Sequence, residues 1–253
     1  MFAQGSIRSP VVQARRGDQP GPWRWSQHWR DLLFTHWRVS KTKLLPHLPA
    51  GLELDTWEDT AWVSAVAFRL EGVRLRGLPY LGSCPSFLEL NLRTYVRRRG
   101  ESAIYFLSIH AGARSVVALA RWLTPLPYAY ARITYDRSGD PHQFNSFCRS
   151  GRGERPLFQA EFRSVSGCGG AAADPLDTWL LERYRAYVAG KRGGLFRMVV
   201  QHAPWRVRKA ALKVSAEGLG DGLGLDLGRG PDRWHVSAGV DALVWPFEAV
   251  RPD

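Results

Sequence analysis

Between Ser86 and Arg99 the polar and apolar positions alternate. Leu88, Leu90, Leu92 and Val96 fall on one side with Thr94 among them, and Phe87, Glu89, Asn91, Arg93 and Tyr95 fall on the other. The period of two predicts a β-strand with one apolar face. Its other face carries a carboxylate, an amide, a guanidinium and a phenol in succession, more hydrogen-bonding chemistry than a solvated face needs. Arg93 can pair with Glu89 or, through both of its terminal nitrogens, with a ligand carboxylate. The same pattern also fits a structural ion pair. The four polar side chains are expected to face inward, and the leucines to pack on a helix spanning Leu176 to Val188.

The pattern along the rest of the chain predicts mostly strands. Trp23 to Leu33 reads as a short amphipathic turn or helix, with His36, Trp37 and Arg38 in a strand after it and Ser40 capping a short helix through Leu45. Ala61 to Leu70 is apolar on both faces, as in a strand covered on both sides, and a Gly- and Pro-rich loop follows it to Ser86. Gly100 turns the chain into a hairpin partner, SAIYFLSIH. Apolar spacing of three and four predicts a helix that Pro125 ends, and the strand YAYARITYD follows. HQFNSFCR and PLFQAEFRSV flank SGRGER as a second hairpin. Asp174 and Pro175 open a predicted helix DPLDTWLLERYRAYVAG, with Leu176, Trp179, Leu180, Tyr184 and Tyr187 as its stripe. The segment 196–215 gives strands bent at Pro204, EGLGDGLGLDLGRG a flexible loop, and HVSAGVDALVWPF a last strand.

Composition narrows the class. The chain has 253 residues, 45% hydrophobic and 23% charged, which predicts one packed domain over residues 23–253 behind a flexible tail at 1–22. Eleven tryptophans suit sheet packing and the walls of a small-molecule pocket. The net charge of +12 comes from arginine, since lysine occurs only at 41, 43, 191, 209 and 213. The basic residues are scattered and match no nucleic-acid module, so such binding is not expected. Cys84, Cys148 and Cys168 form neither a zinc ribbon nor an even disulfide set. No apolar signal-type segment or run of about 18 apolar residues is present, so a cytoplasmic protein without membrane spans is expected. There is no phosphate-binding loop or nucleophile elbow, and His202 and His235 lack companions at metal-ligand spacing, so neither metal nor cofactor is expected.

FTHWRV, LPAGLELDTWEDTAWVSAVAFRL, ELNLRTYV, YFLS, LPYAYA, LERYRAYV, HAPW and SAGVDALVWP follow one another in an order that resembles the YqjF-like family of bacterial proteins, which is grouped with the acetoacetate decarboxylase superfamily. The resemblance spans residues 28 to 248. It implies an α+β, mainly antiparallel fold: a closed β-barrel with a few flanking helices and an internal, largely apolar pocket.

Acetoacetate decarboxylases carry Gly-Arg-Glu and then Pro-Lys-Lys, whose first lysine forms a Schiff base with the keto acid. Here Arg121 and Pro127 match at the same spacing, while Tyr128 and Ala129 stand where the lysines would be. The resemblance therefore implies no imine chemistry. It places Glu89 at the superfamily's pocket carboxylate and Arg38 at its substrate-carboxylate arginine.

Two function classes stand. In the first, a small anionic carboxylate- or keto-type molecule is bound or transformed in the pocket. Glu89 is then the acid or base and Tyr128, at the position of the missing lysine, the other candidate catalytic residue, with Arg38, Asn91, Arg93, Tyr95, Arg121 and His202 as ligand contacts. If the protein is an enzyme, its chemistry is lysine-independent and of lyase or isomerase type. In the second, the polar strand face is a buried network and the Arg-rich surface meets an acidic partner or nucleic acid. A homo-oligomer is compatible with either.

Overall fold

The computed structural model describes residues 21–77, 86–151, 153–164, 170–171, 174–190 and 193–251. The predicted tail lies outside the described residues up to residue 20, as do part of the Gly- and Pro-rich loop (78–85), Cys84 and Cys168.

In chain order the elements are β1 (Trp25–Val39), α1 (Lys41–Leu44), β2 (Glu53–Leu54), β3 (Ala61–Leu75), β4 (Phe87–Arg98), β5 (Glu101–Ala111) and α2 (Arg114–Leu123). Next come β6 (Tyr128–Tyr130), β7 (Arg132–Asp136), β8 (His142–Ser150), β9 (Gly153–Ser164), β10 (Gly170–Ala171) and α3 (Pro175–Leu181). The chain continues with β11 (Arg185–Ala189), β12 (Leu195–Gln201), β13 (Arg206–Val207), β14 (Ala210–Ser215), α4 (Glu217–Gly220), β15 (Arg233–Val244) and β16 (Glu248–Val250).

The larger sheet runs β2-β4-β3-β1-β15-β12-β11-β5-β6, with β16 on β12, and β4 also pairs β5 directly. Pairing is mainly antiparallel, but β5 runs parallel to both β11 and β6, which makes the sheet mixed rather than antiparallel throughout. A second sheet, β14-β9-β8-β7, lies against it.

The hairpin β4–β5 forms as the sequence predicts. Arg98 pairs Glu101 across a two-residue turn in which Arg99 (φ 48°) and Gly100 (φ 80°) both adopt the left-handed conformation that matches strand twist. The apolar face of β4 packs differently from the expectation. Leu90 and Leu92, fully buried, meet Ala131, Phe144, Phe158 and Ala160 of the second sheet and its approach. The helix α3 lies on the opposite face, where Leu176 and Leu180 pack with Trp62 and Tyr95.

The helix expected at the start of the domain is part of β1. Trp25, Gln27 and Trp29 alternate toward one side, and an irregularity between Arg30 and Leu33, with Asp31 at φ 57°, shifts the parity so that Leu32 and Phe34 face the same way. The bulge leaves Trp25, Trp29 and Leu32 at spacings of four and three, which imitate a helix. Opposite it, Gly239 pairs Arg30 at φ 129°, and a Cβ there would meet the Trp29 carbonyl oxygen at 2.0 Å.

The second predicted helix is half helix and half strand. Asp174 caps α3 by accepting from the Leu176 amide, but α3 ends at Leu181, and Arg185–Ala189 becomes a strand between β12 and β5. Glu182 and Arg183 stop the helix through tertiary contacts: Glu182 accepts from the Trp205 amide and Arg183 reaches the buried Asp55 at 2.8 Å. The Gly-rich segment 217–230 is also more ordered than a flexible loop. It contains α4 and sends Leu219, Leu225 and Leu227 into the core between the sheets.

Candidate ligand-binding site

The inward row of β4 lines a cavity of about 350 Å³. Phe87, Glu89, Asn91 and Arg93 succeed one another along it. Strand pairing sets Phe68 and Val66 of β3 beside Glu89 and Asn91, and Ile109 and Phe106 of β5 beside Asn91 and Arg93. Trp29, Leu32 and Phe34 continue the wall on β1, and α2 supplies Val116, Leu119, Ala120 and Leu123.

Glu89 and Arg93 do not pair with each other. Tyr128, brought to the cavity by β6 alongside β5, donates its hydroxyl to Glu89 Oε2 at 2.9 Å. Burial pushes the Glu89 carboxyl up to about 7, against the hydrogen bonds from Tyr128 and Asn91 that favour its anion. The Tyr128 phenol is held well above its ordinary value by burial and by Glu89. Arg93 donates to the Leu180 carbonyl at 3.3 Å, in the last turn of α3 where helix carbonyls lack partners within the helix.

Two buried polar atoms on this row have no hydrogen-bond partner: Asn91 Oδ1 and Arg93 Nε. Arg183 and Arg185 also line the cavity, but Arg183 binds Asp55 and Arg185 faces Glu101 at 3.6 Å. Among the described residues Arg93 has no carboxylate partner. The described lining includes no lysine.

His202 lies across the cavity in an aromatic nest, 4.7 Å from the Trp205 ring and 4.8 Å from Tyr184. Its Nδ1 donates to the Ala203 carbonyl at 2.7 Å, so Nε2 carries the lone pair, and burial lowers its pKa to about 4. The imidazole is a neutral acceptor at ordinary pH.

Glu89, Asn91, Arg93, Tyr128 and His202 thus meet at one cavity, while three other predicted contacts lie elsewhere. Tyr95 continues the β4 row but is sealed under α3, donating to the Leu180 carbonyl at 2.9 Å and bonding Ser64 at 2.5 Å. Because Tyr95 donates to Leu180, it accepts from Ser64, which in turn accepts from Nδ1 of the buried His36 at 2.6 Å. This phenol is structural. Arg38 is exposed and stacks over Trp62 at 5.4 Å in a separate surface depression with Asp174 and Arg233. Arg121 is on the exposed side of α2, one residue past the lining Ala120.

Trp29, Trp205 and Arg183 also line the cavity, and the sequence pattern does not single them out as ligand contacts. Trp29 was concealed by the β1 bulge and Arg183 by the apparent helical stripe. HAPW carries both His202 and Trp205, whose ring centroids lie 4.7 Å apart.

A family model, DUF2071, described as uncharacterized conserved protein (COG2071), matches residues 26–241. The uncharacterized protein YqjF of Bacillus subtilis (strain 168) is 37% identical over 227 residues, covering 90% of this chain and 93% of its own. Among solved structures, the enduracididine biosynthesis enzyme MppR complexed with pyruvate aligns with a TM-score of 0.63 at 15% identity over 98% of both chains. Acetoacetate decarboxylase from Legionella pneumophila aligns with a TM-score of 0.60 at 14% identity, over 97% of this chain and 93% of that one. At these identities the structural likeness is one of fold: an acetoacetate decarboxylase-like arrangement, mostly strands with few helices. No helix among the described residues is long and apolar enough to cross a membrane.

Proposed function

This chain belongs to the DUF2071 family of uncharacterized conserved proteins, and we propose that it binds a small carboxylate- or keto-type molecule in the β4 cavity and moves a proton on it through Glu89. One observation carries the reading: buried Asn91 and Arg93 each present an unpartnered polar atom beside a carboxyl poised near neutrality. Buried polar groups are ordinarily satisfied within the protein, so two orphans on one cavity wall favour a ligand that supplies the missing partner. Arg93 and Asn91 would hold the anionic or carbonyl oxygen. Glu89, with a pKa of about 7, is matched to both giving and taking a proton, and Tyr128 supplies a fixed hydroxyl donor beside it.

We read the larger sheet as a closed barrel around this site, because β4 pairs both β3 and β5 and the ladder β4-β3-β1-β15-β12-β11-β5 returns to its first strand. Two solved relatives, one a complex with pyruvate and one an acetoacetate decarboxylase, support the keto-acid class. Imine chemistry is not part of the proposal, since Tyr128 stands in place of the amine.

Calorimetric titration with 2-oxo and simple carboxylic acids tests binding, and deuterium exchange at the carbon next to the carbonyl, followed by NMR in heavy water, tests the chemistry. Arg93→Ala should weaken anion binding by roughly tenfold or more, the loss of a charge-assisted contact. Arg38→Ala should leave it unchanged. Glu89→Gln should abolish exchange while retaining binding. Anion affinity in the wild type should rise as pH falls through about 7, because Glu89 then gains its proton and no longer repels the ligand. Equal binding by wild type and Arg93→Ala would refute the site.

A further inference from the structure

The polar groups of the cavity lie along β4 and across from it at Gln27, Arg183, Arg185 and His202, whereas the stretch from Phe87 to α2 is largely apolar. On β4 itself Glu89, Asn91 and Arg93 form one row, with Phe68 and Val66 of β3 beside Glu89 and Asn91, Ile109 and Phe106 of β5 beside Asn91 and Arg93, and the buried Ser64 of β3 beside Arg93. Beyond Glu89 the row ends in Phe87, and the wall continues through Leu70 and Val116 to Leu119 and Leu123 of α2. Six residues of strand separate Arg93 from Phe87, about 20 Å at ~3.3 Å per residue. A two- or three-carbon acid held by Arg93 would cover only the innermost part of that length.

The β4 row is buried throughout, and exposure rises at α2. Arg93 is 8% and Asn91 6% exposed, whereas Leu119 and Leu123, which line the same cavity, are 54% and 53% exposed. The anion-holding groups are therefore deep, and the apolar end opens to the surface at α2. Large apolar side chains exposed at a cavity rim are unfavourable in water unless something covers them.

We infer that the ligand is an amphiphile: a carboxylic or oxo acid whose head lies on Asn91 and Arg93 and whose medium-chain or aryl tail runs past Phe87 to the rim formed by Leu119 and Leu123. The inference rests on the proposed reading of the site as an acid-binding cavity and specifies what the rest of the cavity contacts. Entry is head first, and the carbon next to the head passes Glu89 and Tyr128. Affinity comes mainly from the tail, because transfer of apolar surface from water gains free energy in proportion to its area.

The test is a homologous series of straight-chain acids, from acetate through butyrate, hexanoate and octanoate to dodecanoate, titrated into the full chain. Intrinsic tryptophan fluorescence gives an independent readout through Trp29 at the wall. Binding should tighten about threefold to fourfold per methylene and level off once the chain passes α2. Leu123→Asp, a change at an exposed position that leaves the core intact, should weaken dodecanoate at least tenfold and leave butyrate unchanged. Affinity independent of chain length, with acetate as good as octanoate and still sensitive to Arg93→Ala, would overturn the amphiphile and leave the small-acid site standing. Affinity that rises with length but ignores both Arg93→Ala and Leu123→Asp would place the chain elsewhere and overturn the inference. Failure of every acid to bind would overturn the acid-binding reading itself, and the amphiphile with it.

Discussion

Glu89 is buried with its carboxyl raised from 4.5 to about 7, and this makes it a stability switch of predictable sign. Between those values the folded chain keeps a proton that the unfolded chain has released, so stability is full below about 4.5 and falls as pH climbs through 7. Glu89→Gln should therefore leave stability at pH 5 nearly unchanged and raise it at pH 8, by on the order of 3 kcal/mol. Urea melts at the two pH values measure this, and an unchanged or lowered stability at pH 8 would contradict it. His110 and His202, lowered by burial to about 4, act in the opposite range: stability drops as pH falls from 6.5 toward 4, where the unfolded histidines take protons the folded ones refuse. Arg93→Ala should cost only about 1 kcal/mol, because Glu89 hydrogen-bonds Tyr128 instead and no buried carboxylate is stranded. Asp55→Ala strands the buried Arg183 guanidinium and should cost about 3–5 kcal/mol, the loss characteristic of an orphaned internal charge, whereas Arg183→Ala should cost less because Asp55 keeps Arg97 at 3.0 Å. The inward direction of Glu89, Asn91 and Arg93 was legible because alternation on a strand depends on local geometry alone. That Tyr95 would be sealed off was not, because the arrival of α3 over it is a contact made 85 residues away.

At the level of elements, the misreadings share a cause. A two-residue turn with Arg99 and Gly100 announces itself in sequence, but a bulge shifts parity and so disguises a strand, as between Trp29 and Leu32. The segment after Leu181 keeps helical spacing of its apolar residues, and only the slot between β12 and β5 decides that it extends. Such decisions are tertiary and override propensity. Gly239 offers a direct check on the bulge. Its left-handed backbone and the 2.0 Å approach of the Trp29 carbonyl leave no room for a methyl group, so Gly239→Ala should destabilise the protein by roughly 2 kcal/mol or more. The same change should disturb Trp29 fluorescence and ligand affinity together, since the bulge aims Trp29 and Leu32 into the cavity. A silent substitution would mean that the bulge does not set the wall.

Over the whole molecule, β4 divides two interiors: its polar row faces the cavity while Leu90 and Leu92 anchor the second sheet. The ladders around the cavity differ greatly in extent. β1 pairs β3 and β15 over most of its length, and β4 pairs β3 and β5 likewise, whereas β11 meets β5 at Ala186 and Tyr187 and β12 meets β15 at Val200 and Gln201, with the Trp245 amide on the Val199 carbonyl just beyond. In the language of fluctuations, these two short seams bound a unit tied to its neighbours by fewer ladder pairs than β3 and β4, and that unit carries Ala186, Met198 and Val200 of the wall. Amide protons of Arg185–Ala189 and Leu195–Gln201 should exchange with solvent well before those of β3 and β4, and saturating ligand should slow them most. The wall built from β11 and β12 would then set the rate at which the cavity exchanges its contents, separating how tightly a ligand is held from how quickly it leaves.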